Sequence, residues 1–432
     1  MALRRLLRRT PGITHRSLGL ESSALGRPNF MASDRYLQQP GFLTEFADLQ
    51  HHLHSHPTLK SLKCSEGWAQ NLRRIEKILE NPHVENVPPE RRPPRAWLRC
   101  ISWNIEKGKK LDEIINIFKS DQRLCRADLI LLQEADLGMA RSGNRFVARE
   151  LANALQMNFA FAPCFIELTK GAGDDLKATG ENASGLQGNA IITRFDIESA
   201  RVVRLPQCFE PFEFSEKRYG GRNALICDLK MGEGGMTVAT THLEVRNTPQ
   251  CRARQMGTVL DALIGCKNRK ILIGGDFNSN TFARGTLWRT MWGLFRLMTA
   301  RPNDLLASTL APQSREPLFE LLRRSGFEWN PFNDGTATSF TFLRSLEDVH
   351  LIPRPLRDHA YRTLRQFEKG LPLRLDWFAA RNLSPACHAG ATQIDLGGDG
   401  PSPPMTFSNF ENGQVPDSCS DHRPILVDLS WP

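Results

Sequence analysis

The 432-residue chain has no apolar run long enough to cross a bilayer: its longest, such as Leu129 to Leu132 and Ile271 to Ile273, fall far short of the ~20 residues a spanning helix needs. No membrane-spanning segment is expected. Paired cysteines are absent too. Ten stand singly, at Cys64, Cys100, Cys125, Cys164, Cys208, Cys227, Cys251, Cys266, Cys387 and Cys419, and no CxxC suggests zinc or dithiol chemistry. They read as mostly buried, reduced thiols. Nor is there low-complexity bias, and 40% hydrophobic content supplies an ample core, so disorder throughout is excluded.

A large charge of one sign is missing from most of the chain. The formal net charge is +9, but Arg4, Arg5, Arg8, Arg9 and Arg16, with no acid among residues 1–20, supply +5 and leave 9 − 5 = +4 for the rest. A mild excess fits a phosphate-bearing ligand without requiring one. The basic opening lacks the apolar core of a secretory signal. Residues 1–30 are therefore read as a basic tail or targeting segment, with a cytoplasmic location expected and an organellar one as the alternative.

Residues 31–95 read as a helical extension closed by a stiff linker. Phe42, Phe46 and Leu49, then Trp68, Leu72, Ile75, Ile78 and Leu79, recur at one-face spacing and predict two short helices. His51, His52, His54 and His56 lack a carboxylate partner and read as solvated. Pro88, Pro89, Pro93 and Pro94, among Arg91, Arg92 and Arg95, form the linker. A catalytic domain is expected over 96–432.

There, β-rich runs alternate with helical patterns. Strands are predicted at 97–104, 128–134, 159–166, 190–193, 224–229, 237–242, 270–276, 375–380 and 425–429, and helices at 111–119, 145–155, 249–264 and 317–324. More strands than helices indicates an α/β protein with a two-layer sheet core flanked by helices. Residues 343–374, rich in Arg, read as an inserted surface segment.

Several strands hand a polar residue to the loop that follows: Asn104, Glu134, His242 with Glu244, Asp276 with Asn278, Asp376, and Asp421 with His422. Strand ends converging on one rim make a site. Amides, carboxylates and two histidines, with neither a Cys nor a Ser in a strained elbow, suit Mg²⁺ or Mn²⁺ rather than zinc. A hard cation beside His and Asp is what phosphoester hydrolysis needs, since the metal offsets developing charge while a base deprotonates water.

In family order, SWNIE at 102–106, QE at 133–134, GNAIITR at 188–194, THLE at 241–244, GGDFNS at 274–279, LDWFAAR at 375–381 and SDHRPI at 420–425 resemble the endonuclease/exonuclease/phosphatase superfamily. The resemblance covers roughly Arg99 to Leu429. It implies a four-layer α/β sandwich, two central mixed β-sheets flanked by helices, with the site at one edge. It also implies a metal held by Glu134, Asn104 and Asp421. Asp276 and Asn278 would orient the attacking water and contact the scissile phosphate. His422 would be the general base, held by Asp376, and His242 would stabilise the phosphate or protonate the leaving group. Asn189 and Arg222 resemble substrate-side residues, and Glu167 stands where a support for His242 is expected.

The substrate is less legible. Arg354, Arg357, Arg362, Arg365, Lys369 and Arg374 favour nucleic acid, through phosphate tracking. The strand at Asp376 lacks the Trp-Cys-Asp-Arg signature of inositol polyphosphate phosphatases. Phe209, Phe212 and Phe214 around Pro211 offer an interfacial loop for a sphingomyelinase-like enzyme, but a core-packed turn is the favoured reading. The expectation is a metal-dependent phosphodiesterase acting on nucleic acid, with a phospholipid or small-molecule phosphoesterase as alternative and a silent phosphate-binding module last.

Overall fold

The computed structural model describes residues 42–87, 95–231, 234–280, 286–341, 353–355, 358, 370–387, 400–410 and 416–431. The basic segment 1–30, the prolines of the linker and most of the segment 343–374 lie outside them.

Three helices come first where periodicity gives two: α1 (Phe42–Ser55), α2 (Leu59–Lys63) and α3 (Trp68–Leu79). Helix α2 is too short for an apolar period and is instead marked by a capping box, Thr58 and Ser61 exchanging side-chain and backbone hydrogen bonds. Strand β1 (His83–Glu85) follows. After the linker come β2 (Trp97–Asn104), α4 (Leu111–Ser120), β3 (Leu129–Leu137), α5 (Val147–Leu155), β4 (Asn158–Glu167), β5 (Leu186–Thr193), β6 (Asp196–Arg204), β7 (Arg218–Gly220), β8 (Asn223–Met231) and β9 (Gly234–His242). The remainder is α6 (Pro249–Ala262), β10 (Ile271–Asp276), α7 (Leu287–Thr299), α8 (Pro302–Leu310), α9 (Pro317–Arg324), β11 (Ser339–Thr341), β12 (Leu371–Leu373), β13 (Asp376–Arg381), β14 (Met405–Thr406) and β15 (Ile425–Ser430).

Two mixed sheets form the centre. One has eight strands in the order β1-β4-β5-β3-β2-β15-β14, with β7 beside β4; the other has five, β13-β10-β9-β8-β6. Cys100, Leu129, Leu131 and Val427 of the first sheet pack against Leu225, Val238, Leu272 and Phe378 of the second. On the first sheet's outer face lie α4 and α5, and on the second's lie α6 and α9. The result is a four-layer α/β sandwich. All eight residues of β2 are buried, because a strand covered on both faces has no polar side.

The segment before the linker packs onto this body. Phe46, Leu49 and Leu53 of α1 and Ile75, Ile78 and Leu79 of α3 share a core with Ile130, Phe159 and Phe161, and β1 pairs antiparallel with β4. Each such fully buried side chain contributes roughly 1.5–3 kcal/mol. His51, His52, His54 and His56 stand at the far end of α1 and join no metal-capable cluster among the described residues.

Cys100, Cys164, Cys227 and Cys419 are buried free thiols. Cys208 and Cys251 depart from the expectation and form a disulfide, with Cα atoms 6.3 Å apart. Their separation of 43 residues gives no spacing signal in the sequence.

Candidate active site

Three candidate residues lie in one row across the five-stranded sheet. Strand register sets Asp276 of β10 opposite His242 of β9 on one side and Asp376 of β13 on the other. Paired residues point to the same face about 5 Å apart. Gly275 makes the row possible: its φ is +147°, and any side chain there would strike the backbone of Thr241.

The other sheet supplies the facing half. Asn104 ends β2, and Glu134 sits in β3 where the register with β5 slips between Leu132 and Ala135. Glu134 has a left-handed φ of 58°. A bulge of this kind re-aims a side chain out of strand alternation. The loop before β15 carries Asp421 and His422; it is tied to β2 twice and braced once within itself. Ser420 Oγ donates to the Asn104 carbonyl at 2.6 Å, His422 N donates to Ser420 Oγ at 3.1 Å, and Trp103 Nε1 donates to the His422 carbonyl at 2.8 Å.

Carboxylates and imidazoles alternate across the seam. Glu134 Oε1 is 3.8 Å from His242 Nδ1, and His242 Nε2 is 3.3 Å from Asp276 Oδ2. The same Asp276 oxygen is 3.8 Å from His422 Nε2, and His422 Nδ1 is 2.8 Å from Asp376 Oδ2. Asn104 Nδ2 also donates to Asp276 Oδ2, at 3.3 Å, and Asn278 N donates to Asp276 Oδ1 at 2.9 Å. Asn278 has a φ of 48° and donates its side-chain Nδ2 to the Leu243 carbonyl at 2.9 Å, so it braces the turn after β10. His242 takes its carboxylate contacts from Glu134 and Asp276, not from Glu167. Glu167 lies instead against Arg141 and Arg218, at 3.7 and 3.5 Å.

The protonation states follow from these contacts. Burial depresses His242 well below the usual histidine range, and Arg222 and a charged His422 add to it. His242 is therefore a neutral ring whose Nδ1 is buried without a hydrogen-bond partner among the described residues. Burial would lower His422 as well, but the Asp376 and Asp276 carboxylates outweigh it and hold His422 well above its ordinary value. Burial raises Asp276, and Asp376 pushes in the same direction. Asp421 lies at the open mouth, yet enough protein surrounds it to raise its carboxyl, with Glu134 and Glu106 adding repulsion.

The residues present fit a divalent cation. Asp276, Asp376 and His422 form one group of metal-capable side chains among the described residues, their donor atoms within 4.8 Å of one another. Two of the three are already joined, because His422 Nδ1 is spent on Asp376. The oxygen donors left over are Glu134, Asn104, Asp276 and Asp421, a hard set; burial first, and neighbouring carboxylates second, raise Asp276 and Asp421, a cost that a cation would offset.

The endonuclease/exonuclease/phosphatase family model matches residues 101–422. The chain belongs to that family. Its members are phosphoester hydrolases, generally dependent on a divalent metal. No curated protein matches the chain. Solved structures do. An endonuclease/exonuclease/phosphatase from Beutenbergia cavernae DSM 12333 is 15% identical over 78% of this chain and 72% of its own, at TM-score 0.44. The human Nocturnin catalytic domain with bound sulfate is 15% identical over 82% and 98%, at 0.39. Zebrafish (D. rerio) TDP2 complexed with a single-strand DNA product is 15% identical over 78% and 99%, also at 0.39.

Of the residues expected on the substrate side, Asn189 lies within β5 rather than at a turn. Its Nδ2 donates to Asn223 Oδ1 at 3.0 Å, and its Oδ1 is buried without a partner. Arg222 is buried, makes no ion pair among the described residues and has an unpartnered Nε. Arg218, which sequence reading missed, stands beside it. The two guanidinium groups lie 4.0 and 5.6 Å from the Phe165 ring. The signal was available, since KRYGGR places the two arginines one short turn apart.

One expectation about the substrate changes and another holds. Arg374 is buried and bonded to Asp334 Oδ1 at 3.1 Å, so it belongs to the core and tracks no phosphate. Of the rest of that cluster Arg354 is exposed, while Arg357, Arg362, Arg365 and Lys369 lie outside the described residues. Phe212 is fully buried and Phe209 meets Phe214 edge to face, as expected of a core-packed turn.

Proposed function

We propose that the chain is a divalent-metal-dependent phosphodiesterase that hydrolyses its substrate by in-line attack of water. The observation that carries this reading is the alternating series Glu134, His242, Asp276, His422, Asp376, drawn from both sheets. Glu134, with Asn104 and Asp421, would hold Mg²⁺ or Mn²⁺. The cation, when bound, would supply charge to the phosphate and leaving oxygens and offset the carboxylate field that keeps His422 protonated.

His422 accepts the proton of the attacking water at Nε2, while Asp376 on Nδ1 fixes the tautomer and stabilises the cation formed. Asp276 and Asn278 orient that water. His242, neutral and with a free ring nitrogen, lies on the opposite side of Asp276 from His422 and serves the phosphate or the leaving oxygen. Arg222 and Asn189 supply donors to non-bridging oxygens, a guanidinium being able to grip two at once.

Nucleic acid is the first substrate class, on the basic residues Arg354, Arg357, Arg362, Arg365 and Lys369 that precede β12 in the sequence. Phospholipid is the second reading, favoured by the exposed aromatic helix α7. The test is hydrolysis by wild-type and His422→Ala chains, in Mg²⁺ and in EDTA, over single- and double-stranded DNA, RNA, sphingomyelin and inositol phosphates. Cleavage that needs both the metal and His422 supports the reaction and names the substrate. Silence across the panel by a folded protein overturns it.

A further inference from the structure

Helix α7 turns large aromatic side chains to solvent. Trp288 is 85% exposed, Trp292 61% and Phe295 50%. Their spacing of four and three residues sets them on one face. Trp292 and Phe295 stack with ring centroids 5.5 Å apart at 21°. A contiguous apolar surface of this kind on a folded chain marks an interaction site.

Charge defines the partner. The helix, LWRTMWGLFRLMT, contains Arg289 and Arg296 and no acid. Each arginine follows an aromatic by one position, about 100° round the axis, on the flank of the stripe. Past the helix end, an open groove of about 510 Å³ is lined by Arg296, Arg301 and Arg315, with Asp304 its one acid. None of these three guanidinium groups has an ion pair or a side-chain hydrogen bond among the described residues.

We propose that α7 is a peripheral membrane-binding helix, its aromatic stripe seated among lipid headgroups and its arginines on the phosphates of anionic phospholipid. Tryptophan suits that boundary because an apolar ring carries one N–H. A helix with basic residues beside an aromatic face holds anionic bilayers by burial and by charge together. A nucleic-acid strand also uses rings and arginines, through base stacking. The layout favours the bilayer: Trp292 and Phe295 occupy one face of each other, and the arginines gather at the flank and end instead of alternating with the rings. This surface stands whichever phosphoester the site cleaves.

The test is flotation of the full chain with phosphatidylcholine vesicles, with and without phosphatidylserine, alongside tryptophan emission. The wild-type chain floats with the anionic vesicles and its emission moves to the blue. Replacing Trp288, Trp292 and Phe295 together by Ala abolishes both effects. Arg296→Glu with Arg301→Glu, which leaves the rings in place, lowers partition on the order of tenfold, and added salt does the same to wild type. All of these side chains lie outside the cores, so thermal unfolding of each variant should match wild type and separates loss of binding from loss of fold. No flotation of wild type, flotation of the triple variant equal to wild type, or stripe-dependent retention of a single-stranded oligonucleotide with vesicles ignored would overturn the proposal.

Discussion

Asp376 Oδ2 lies 2.8 Å from His422 Nδ1, and both side chains are buried. Asp376→Asn keeps the shape and removes the charge that favours the imidazolium. It should lower kcat by roughly 10²–10⁴, the usual worth of a positioned base. His422 must be neutral to accept a proton, so activity rises with pH through its raised pKa. Losing Asp376 lowers that pKa, so the rise in the pH–rate profile should move to lower pH while the maximum falls. A profile that only scales down, with no shift, would contradict this coupling.

Glu134 owes its direction to the bulge in β3. EDTA should silence hydrolysis and Mg²⁺ restore it. Glu134→Gln should raise the Mg²⁺ concentration for half-maximal rate by at least about tenfold, measured by metal titration of activity and of metal binding. An unchanged titration would remove Glu134 from the metal site.

Arg222 is buried, and its Nε has no hydrogen-bond partner among the described residues. Arg222→Ala should cut kcat/KM by roughly 10–100-fold, the worth of about 1.5–3 kcal/mol for a bond to a charged group. Arg222→Lys should recover only part of this, since an ammonium cannot grip two oxygens as a planar fork does. Steady-state kinetics on the substrate that the panel identifies would decide.

Glu167 provides a stability prediction apart from catalysis. Burial raises its carboxyl, the Glu216 charge adds to this, and Arg218 and Arg141 compensate only in part. Its neutral form is thus favoured in the folded state, and the stabilisation is complete below the unfolded value of ~4.3 and fades as pH rises through the raised native value. Compared with Glu167→Gln, wild type should lose up to about 1.4 kcal/mol per pH unit across that window. Urea unfolding of both proteins between mildly acidic and mildly alkaline pH measures it.

The sequence was most readable where polar residues interrupt β-rich runs. Asn104, His242, Asp276 and Asp376 end or begin strands, where an apolar run makes its polar terminus stand out, while Glu134 sits at a bulge inside β3 and His422 in the loop before β15. That they converge on one seam required the register, which no local pattern encodes. Strand β6 was missed because DIESARVVR sits at a sheet edge with only Ile197 and Ala200 buried, so its alternation is weak. Helix α7 was missed although Trp288, Trp292 and Phe295 recur at the four-and-three spacing of one helix face. The packing of α1 and α3 onto the first sheet and the Cys208–Cys251 pairing are contacts across the chain, and spacing does not report those.

The seam between the sheets also governs when the chain can act. Glu134 and His422 belong to one sheet's side, and His242, Asp276 and Asp376 to the other. Neither half contains an acid–base series without its counterpart, and His422 is placed only once β15 has come in beside β2. During synthesis the growing polypeptide therefore passes through every earlier length without an assembled centre. On the proposed function, the hydrolytic hazard of an unfinished molecule is withheld by topology.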